Sequence, residues 1–131
     1  MTNNTKERVR VTSVAAYVES QSDPKSRRYV FSYTVTIENL SALPCQLLSR
    51  HWVIQDANRK IEEIYGEGVI GQQPVIEPGE KYRYSSGAVL ETEVGTMEGR
   101  YFMIDKSVNE DNTEFDIPIP KFTLSVPRTL H

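Results

Sequence analysis

Apolar and polar residues alternate along most of this chain. The stretch "RYVFSYTVTIEN" places Tyr29, Phe31, Tyr33, Val35 and Ile37 on one face and Val30, Ser32, Thr34, Thr36 and Glu38 on the other. Successive side chains of a strand point to opposite faces, so this stretch predicts a strand with one buried side. Its β-branched and aromatic content fits that assignment. The stretch "VRVTSVAAYVE" predicts its partner, with Val9, Val11, Ala15 and Tyr17 turned inward. The polar segment "SQSDPKSR" between them predicts a hairpin.

A third strand is expected over "CQLLSRHWVIQD". Leu48, Trp52 and Ile54 share one parity there, and Leu47 and Val53 oppose them. Either both faces are covered or a bulge shifts the register. "DANRK" predicts a tight turn, "IEEIY" a short strand, and "KYRYSSG", "GRYFMID" and "EFDIPIPKFTLSV" further strands. Pro118 and Pro120 lack the amide hydrogen of a central strand, so they mark a bulge or an edge. The most helix-like window, "AVLETEVGTME", is interrupted by Gly95 and is read as about one turn of helix. About seven short strands with turn signals between them predict an all-β, immunoglobulin-like sandwich of two antiparallel sheets. "IEPGEKY" adds a corner. Pro78-Gly79 suits a type II turn, and Tyr82 is placed to bond its hydroxyl back to the loop as a tyrosine corner.

Size and charge narrow the class. The 131 residues fit one domain, 1–131, with residues 1–7 read as a disordered N-terminal tail. No apolar run approaches the roughly 20 residues of a membrane helix, and the N-terminus has no apolar core of a secretory signal. The formal charge of -3 argues against a broad nucleic-acid-binding face. One cysteine, Cys45, cannot form an internal disulfide, which suits a reducing, cytoplasmic setting. His51 is the nearest base that would activate it.

Chemistry-bearing spacings are absent. His51 and His131 are far apart, and no cysteine cluster or His-x-His spacing for zinc or cobalt exists. The acidic "NEDNTEFD" lacks the central glycine of a calcium loop and reads as a solvated hairpin tip. Ser85 and Ser86 sit in "YSSG" rather than a strained nucleophile elbow. Glu62 and Glu63 fall on opposite faces of a strand. No catalytic residue, metal or cofactor is therefore expected.

The segment "YGEGVIGQQPVIEPGE" holds a G-x-G-x-x-G at Gly66, Gly68 and Gly71. A dinucleotide fingerprint needs a helix after it, to present amides and a dipole to the pyrophosphate. Pro74 and Pro78 forbid a regular helix there. Two readings remain. The glycines let a crossing loop adopt positive φ and lie close to the sheet, or successive amides form a nest for an anion. The nest needs a cation, for which Arg50 and Arg83 are the choices, with Ser85 and Ser86 as hydroxyl donors.

Residues 66–103, "GEGVIGQQPVIEPGEKYRYSSGAVLETEVGTMEGRYFM", closely resemble the central signature of the bacterial ApaG family, also called CorD. The match includes the three glycines, Gln73-Pro74, Pro78-Gly79-Glu80, Tyr84, Ser86-Gly87, Gly95, Met97, Gly99 and Tyr101. The upstream "SRHWVIQDANRKIEEIYG" resembles the family too. The resemblance implies a fibronectin type III-like sandwich and a cytosolic bacterial protein. It also implies a genetic association with cobalt resistance and magnesium efflux, and with the neighbouring gene of a diadenosine tetraphosphate hydrolase. The same domain in eukaryotic adaptors implies a role in protein contacts. No catalytic residues come with it.

The expected function is a non-enzymatic module that binds a protein partner through Gly66, Gly68, Gly71, Ser85, Ser86, Gly87 and Arg50. The alternative is a sensor of a small phosphate-containing anion, a diphosphate or a dinucleotide. A hydrolase of such compounds is the third reading.

Overall fold

The computed structural model describes residues 8–106 and 112–127. Eight strands run in chain order: β1 (Val9–Tyr17), β2 (Tyr29–Asn39), β3 (Cys45–Asp56), β4 (Ile61–Glu67), β5 (Val75–Ile76), β6 (Lys81–Leu90), β7 (Val94–Asp105) and β8 (Glu114–Ser125). They form two antiparallel sheets, ordered β1-β2-β6 and β4-β3-β7-β8, with the short β5 also paired to β3. This is the all-β, fibronectin type III-like sandwich. The expected tail 1–7, His131 and the Asn109–Asp111 part of the acidic loop lie outside the described residues.

Alternation reads out as burial. Phe31, Tyr33, Val35 and Ile37 are buried, and so are Val9 and Val11 opposite them. Val30 is buried from the other side, because the Glu19–Gln21 turn folds over it and Ser22 Oγ accepts its amide hydrogen at 2.9 Å. The β1–β2 hairpin pairs without interruption from Val9↔Asn39 to Tyr17↔Phe31.

The conflicting parities of β3 resolve as a bulge. The β3–β7 register shifts between Leu47 and Ser49. An extra residue in a strand reverses which side chains face inward. Leu47 is therefore inside before the bulge, and Trp52 and Ile54 are inside after it. The prolines of β8 mark both an edge and an irregularity. β8 pairs only with β7, and its register shifts where Met97↔Phe122 gives way to Gly99↔Ile119. The window "AVLETEVGTME" forms no helix. Its ends belong to β6 and β7, and residues 91–93 cross between the sheets. Strand pairing on both sides overrides its weak local helical preference.

The corner after β5 is a turn of the expected type, with Gly79 at φ 81 and Glu80 N–H donating to Glu77 O at 2.9 Å. The tyrosine corner is not formed, since Tyr82 has no hydrogen bond to the loop. The fully buried Asn39 does that work. Its Nδ2 donates to Leu43 O at 2.8 Å and to Ile76 O at 2.9 Å, and its Oδ1 accepts from Ser41 N at 2.9 Å. Its main chain bonds Gly79 and Glu80 as well. A short amide inside the corner reaches acceptors that a tyrosine on β6 does not.

At the centre Trp52 meets Tyr33, Tyr101 and Phe122 nearly edge-on, with centroids 5.5, 6.4 and 5.9 Å away. Tyr84 and Tyr101 share a hydroxyl–hydroxyl bond in this core. Burial raises the pKa of both phenols. Burial, and then the Asp105 carboxylate, push the Cys45 thiol up to about 11. The side chain of Asp105 is in turn paired with Arg8.

Two outcomes follow. Asn39→Ala leaves buried carbonyls and an amide without partners and lowers urea-unfolding stability by about 2–3 kcal/mol. The three raised pKa values make ionisation harder in the folded chain than in the unfolded one. The stability these groups contribute is fully present below the ordinary thiol value of 9.0 and is lost as pH rises through about 11, which thermal denaturation across that range reads as a fall. Cys45→Ala removes the earliest part of that fall.

Candidate functional site

The two sides of the sandwich differ. β1 packs on β8 and closes one seam. Along the other, a cavity of about 120 Å³ separates the β3–β4 part of one sheet from β6 of the other. Tyr33, Arg50, Trp52, Ile64, Tyr84 and Ser86 line it, with Val69, Ile70 and Gly87 at the glycine turn and on β6.

Arg50 faces inward because of the Leu48 bulge. Without the extra residue, the parity set by Leu47 would turn His51 inward and Arg50 out. Arg50 lies opposite Gly66 on β4. A Cβ at Gly66 would lie 2.8 Å from the guanidinium, so the missing side chain is what admits it. Nη1 of Arg50 donates to Glu67 O at 3.1 Å and Gly68 O at 2.6 Å. Both bonds come from one nitrogen. The N–H groups on Nη2 and Nε have no acceptor among the described residues. No carboxylate pairs with Arg50 among them either.

The glycine segment closes as a tight turn. Val69 N–H donates to Gln72 O at 2.8 Å and Gln72 N–H to Val69 O at 2.9 Å. Ile70 and Gly71 between them hold φ 51 and φ 74, the left-handed values a type I′ turn requires. Glycine takes such a φ without cost, but a β-branched residue is strained there. Ile70 is nonetheless 58% exposed at the turn tip. Gly68, at φ 62, passes so close to the Gln72 carbonyl that a side chain has no room. Its amide donates to Leu48 O at 2.8 Å. The amides of Gly68, Val69 and Gln72 are thus engaged with carbonyls, and Arg50 is the cation that lines the cavity.

Of the residues singled out from the sequence, Arg50, Gly66, Gly68, Ser86 and Gly87 gather around this cavity, with Gly71 on the turn at its rim. Ser85 does not join them. It points to the outer face of its sheet and shares a 2.7 Å hydroxyl bond with Thr34. Arg83 is also on that face, donating to Thr36 Oγ1 at 3.3 Å. His51 is turned away from Cys45. Its Nε2 lies 2.9 Å from Glu63 Oε1, and its ring stacks on Tyr65 at 4.1 Å. Sequence reasoning missed Ile70 and Ile64 of the rim and the core pair Tyr33 and Tyr84. It had assigned the aromatics to packing, and no period signals positive φ at an isoleucine. Among the described residues, no group of three or more His, Cys, Asp or Glu is arranged to hold a metal ion, and no helix is long and apolar enough to cross a membrane.

The turn geometry orders the glycines. Gly71→Ala meets open space and costs about 1 kcal/mol for the left-handed φ alone. Gly68→Ala adds a main-chain clash and costs distinctly more by chemical denaturation.

A family model described as the ApaG domain matches residues 19–105. The chain is 50% identical over 131 residues to Protein ApaG of Thiobacillus denitrificans, covering 100% of both chains. It is equally similar, at 50% over the same length, to Protein ApaG of Escherichia coli O1:K1. The crystal structure of the putative ApaA protein from Bordetella pertussis superposes with a TM-score of 0.86 at 44% identity, over 92% of this chain and 95% of that one. The C-terminal domain of wzt, 7% identical with a TM-score of 0.53, shares the fold alone. Matched by the family model over its centre and by these relatives from end to end, the chain belongs to the ApaG domain family.

Proposed function

We propose that this protein is a non-enzymatic binding module that contacts a protein partner with the open seam between β4 and β6. One observation carries the reading. A strained, apolar side chain, Ile70, is held in solvent at the rim of a cavity on an otherwise regular scaffold. Strain of this kind persists where the surroundings over-determine it, and it concentrates at contact and switch sites. Loops on a rigid sandwich are also where such domains place recognition.

The family's association with cobalt resistance and magnesium efflux is read as indirect, acting through that partner in the cytoplasm. A small phosphate-containing anion is the second reading, favoured by the N–H groups of Arg50 that face no acceptor.

A photo-crosslinking residue at the exposed Gln72 is expected to trap a defined partner in cells. The same residue at Val14, 72% exposed on the outer face of β1, is not expected to trap it. Ile70→Asn relieves the left-handed strain, so it raises stability by about 1 kcal/mol while weakening the Gln72 crosslink. Equal trapping from both positions, or an undiminished crosslink with Ile70→Asn, rules the reading out.

A further inference from the structure

We propose that the cavity between β3 and β6 receives one carboxylate, the side chain of an aspartate or glutamate on the partner, held by the free edge of Arg50 with Ser86. This rests on the partner-binding reading above.

The argument starts from charge. Several cations on the surface of this chain face carboxylates: Arg100 with Asp116 at 2.8 Å, Lys60 with Glu91 at 3.3 Å, Arg10 with Glu38 at 3.8 Å. The exposed Arg83 bonds the Thr36 hydroxyl and is solvated. Arg50 is half-buried and bonds only main-chain carbonyls, with one of its nitrogens. A guanidinium among Tyr33, Trp52, Ile64 and Tyr84 is partly withdrawn from water without a countercharge among the described residues. Such a group is costly until it is paired. The unpaired cation at this one position is complementary to an acidic group brought from outside.

Geometry selects the kind of acid. The bonds from Nη1 to Glu67 O and Gly68 O hold the guanidinium in place. The edge formed by Nη2 and Nε is the planar fork that matches the two oxygens of a carboxylate. The Ser86 hydroxyl, which bonds no other described group, sits on the same cavity wall. A diphosphate carries more charge and more oxygens than one arginine and one hydroxyl satisfy. Three amides of the adjoining loop, at Gly68, Val69 and Gln72, are already engaged with carbonyls. The cavity of about 120 Å³ is also small, so it suits a side chain better than a nucleotide. The ring of Trp52 forms part of its wall, and the buried Nε1 has no acceptor among the described residues. Trp52 is the sole tryptophan, so its indole N–H is a single, unambiguous reporter.

The test uses the full chain, labelled with ¹⁵N. It is titrated with N-acetylglutamate α-amide, with the neutral N-acetylglutamine α-amide, and with inorganic phosphate and pyrophosphate. The glutamate probe is expected to shift the Trp52 indole resonance and the amides of 67–70 and 86–87, and the glutamine probe to leave them in place. Arg50→Lys keeps the charge but loses the fork, and weakens the probe at least about tenfold. In cells, Arg50→Lys also diminishes the crosslink from position 72. Equal shifts with the glutamine probe, no shift with the glutamate probe, or a stronger response to phosphate or pyrophosphate overturns the carboxylate assignment and leaves the loop reading to its own crosslinking test. A glutamate-probe response with an undiminished crosslink in Arg50→Lys overturns the partner as its source, the site then serving a free carboxylate.

Discussion

The guanidinium of Arg50 lying over Gly66 is the contact on which the character of this molecule depends. It joins β3 to the end of β4 and bonds the Glu67 and Gly68 carbonyls just as the chain leaves the sheet. Carbonyls at the end of an edge strand have no ladder partner and must find a donor or water. Arg50 supplies the donor from inside the sandwich. That ties the start of the glycine turn to β3.

The rest of the seam follows from that placement. On the opposite side β1 and β8 pack together. Here Arg50 stands between the sheets, and a cavity remains between Ile64 of one sheet and Tyr84 of the other. The turn beyond it is held by the reciprocal Val69–Gln72 bonds and the Gly68–Leu48 bond. These tolerate an isoleucine in a left-handed conformation that costs on the order of 1–2 kcal/mol. Stability for this comes from elsewhere, from the Trp52 cluster and the buried Asn39 corner.

The outer faces behave differently. Arg100 with Asp116, Lys121 with Glu98 and His51 with Glu63 sit as neighbours across paired strands. Exposed pairs of this kind contribute little, about 0–1 kcal/mol each. They place charged side chains on the edge strands β4 and β8, which disfavours edge-to-edge pairing. A half-buried guanidinium among aromatic side chains, with no carboxylate partner among the described residues, distinguishes the cavity from the rest of the surface.

Alternation along the chain determined the sandwich class, the β1–β2 hairpin with its inward set, and the edge position of the β8 prolines, because side-chain direction in a strand is a local property. Pro78-Gly79 determined its turn for the same reason. The missing helix after Gly71 was legible from Pro74 and Pro78. Tertiary structure alone decided that β3 bulges at Leu48, since a bulge depends on what the neighbouring strand β7 accepts. That single extra residue turned Arg50 inward, beside Ser86 and away from Ser85. It likewise decided that Asn39 rather than Tyr82 holds the corner, and that Ile70 takes a positive φ, because both depend on hydrogen bonds between segments distant along the chain.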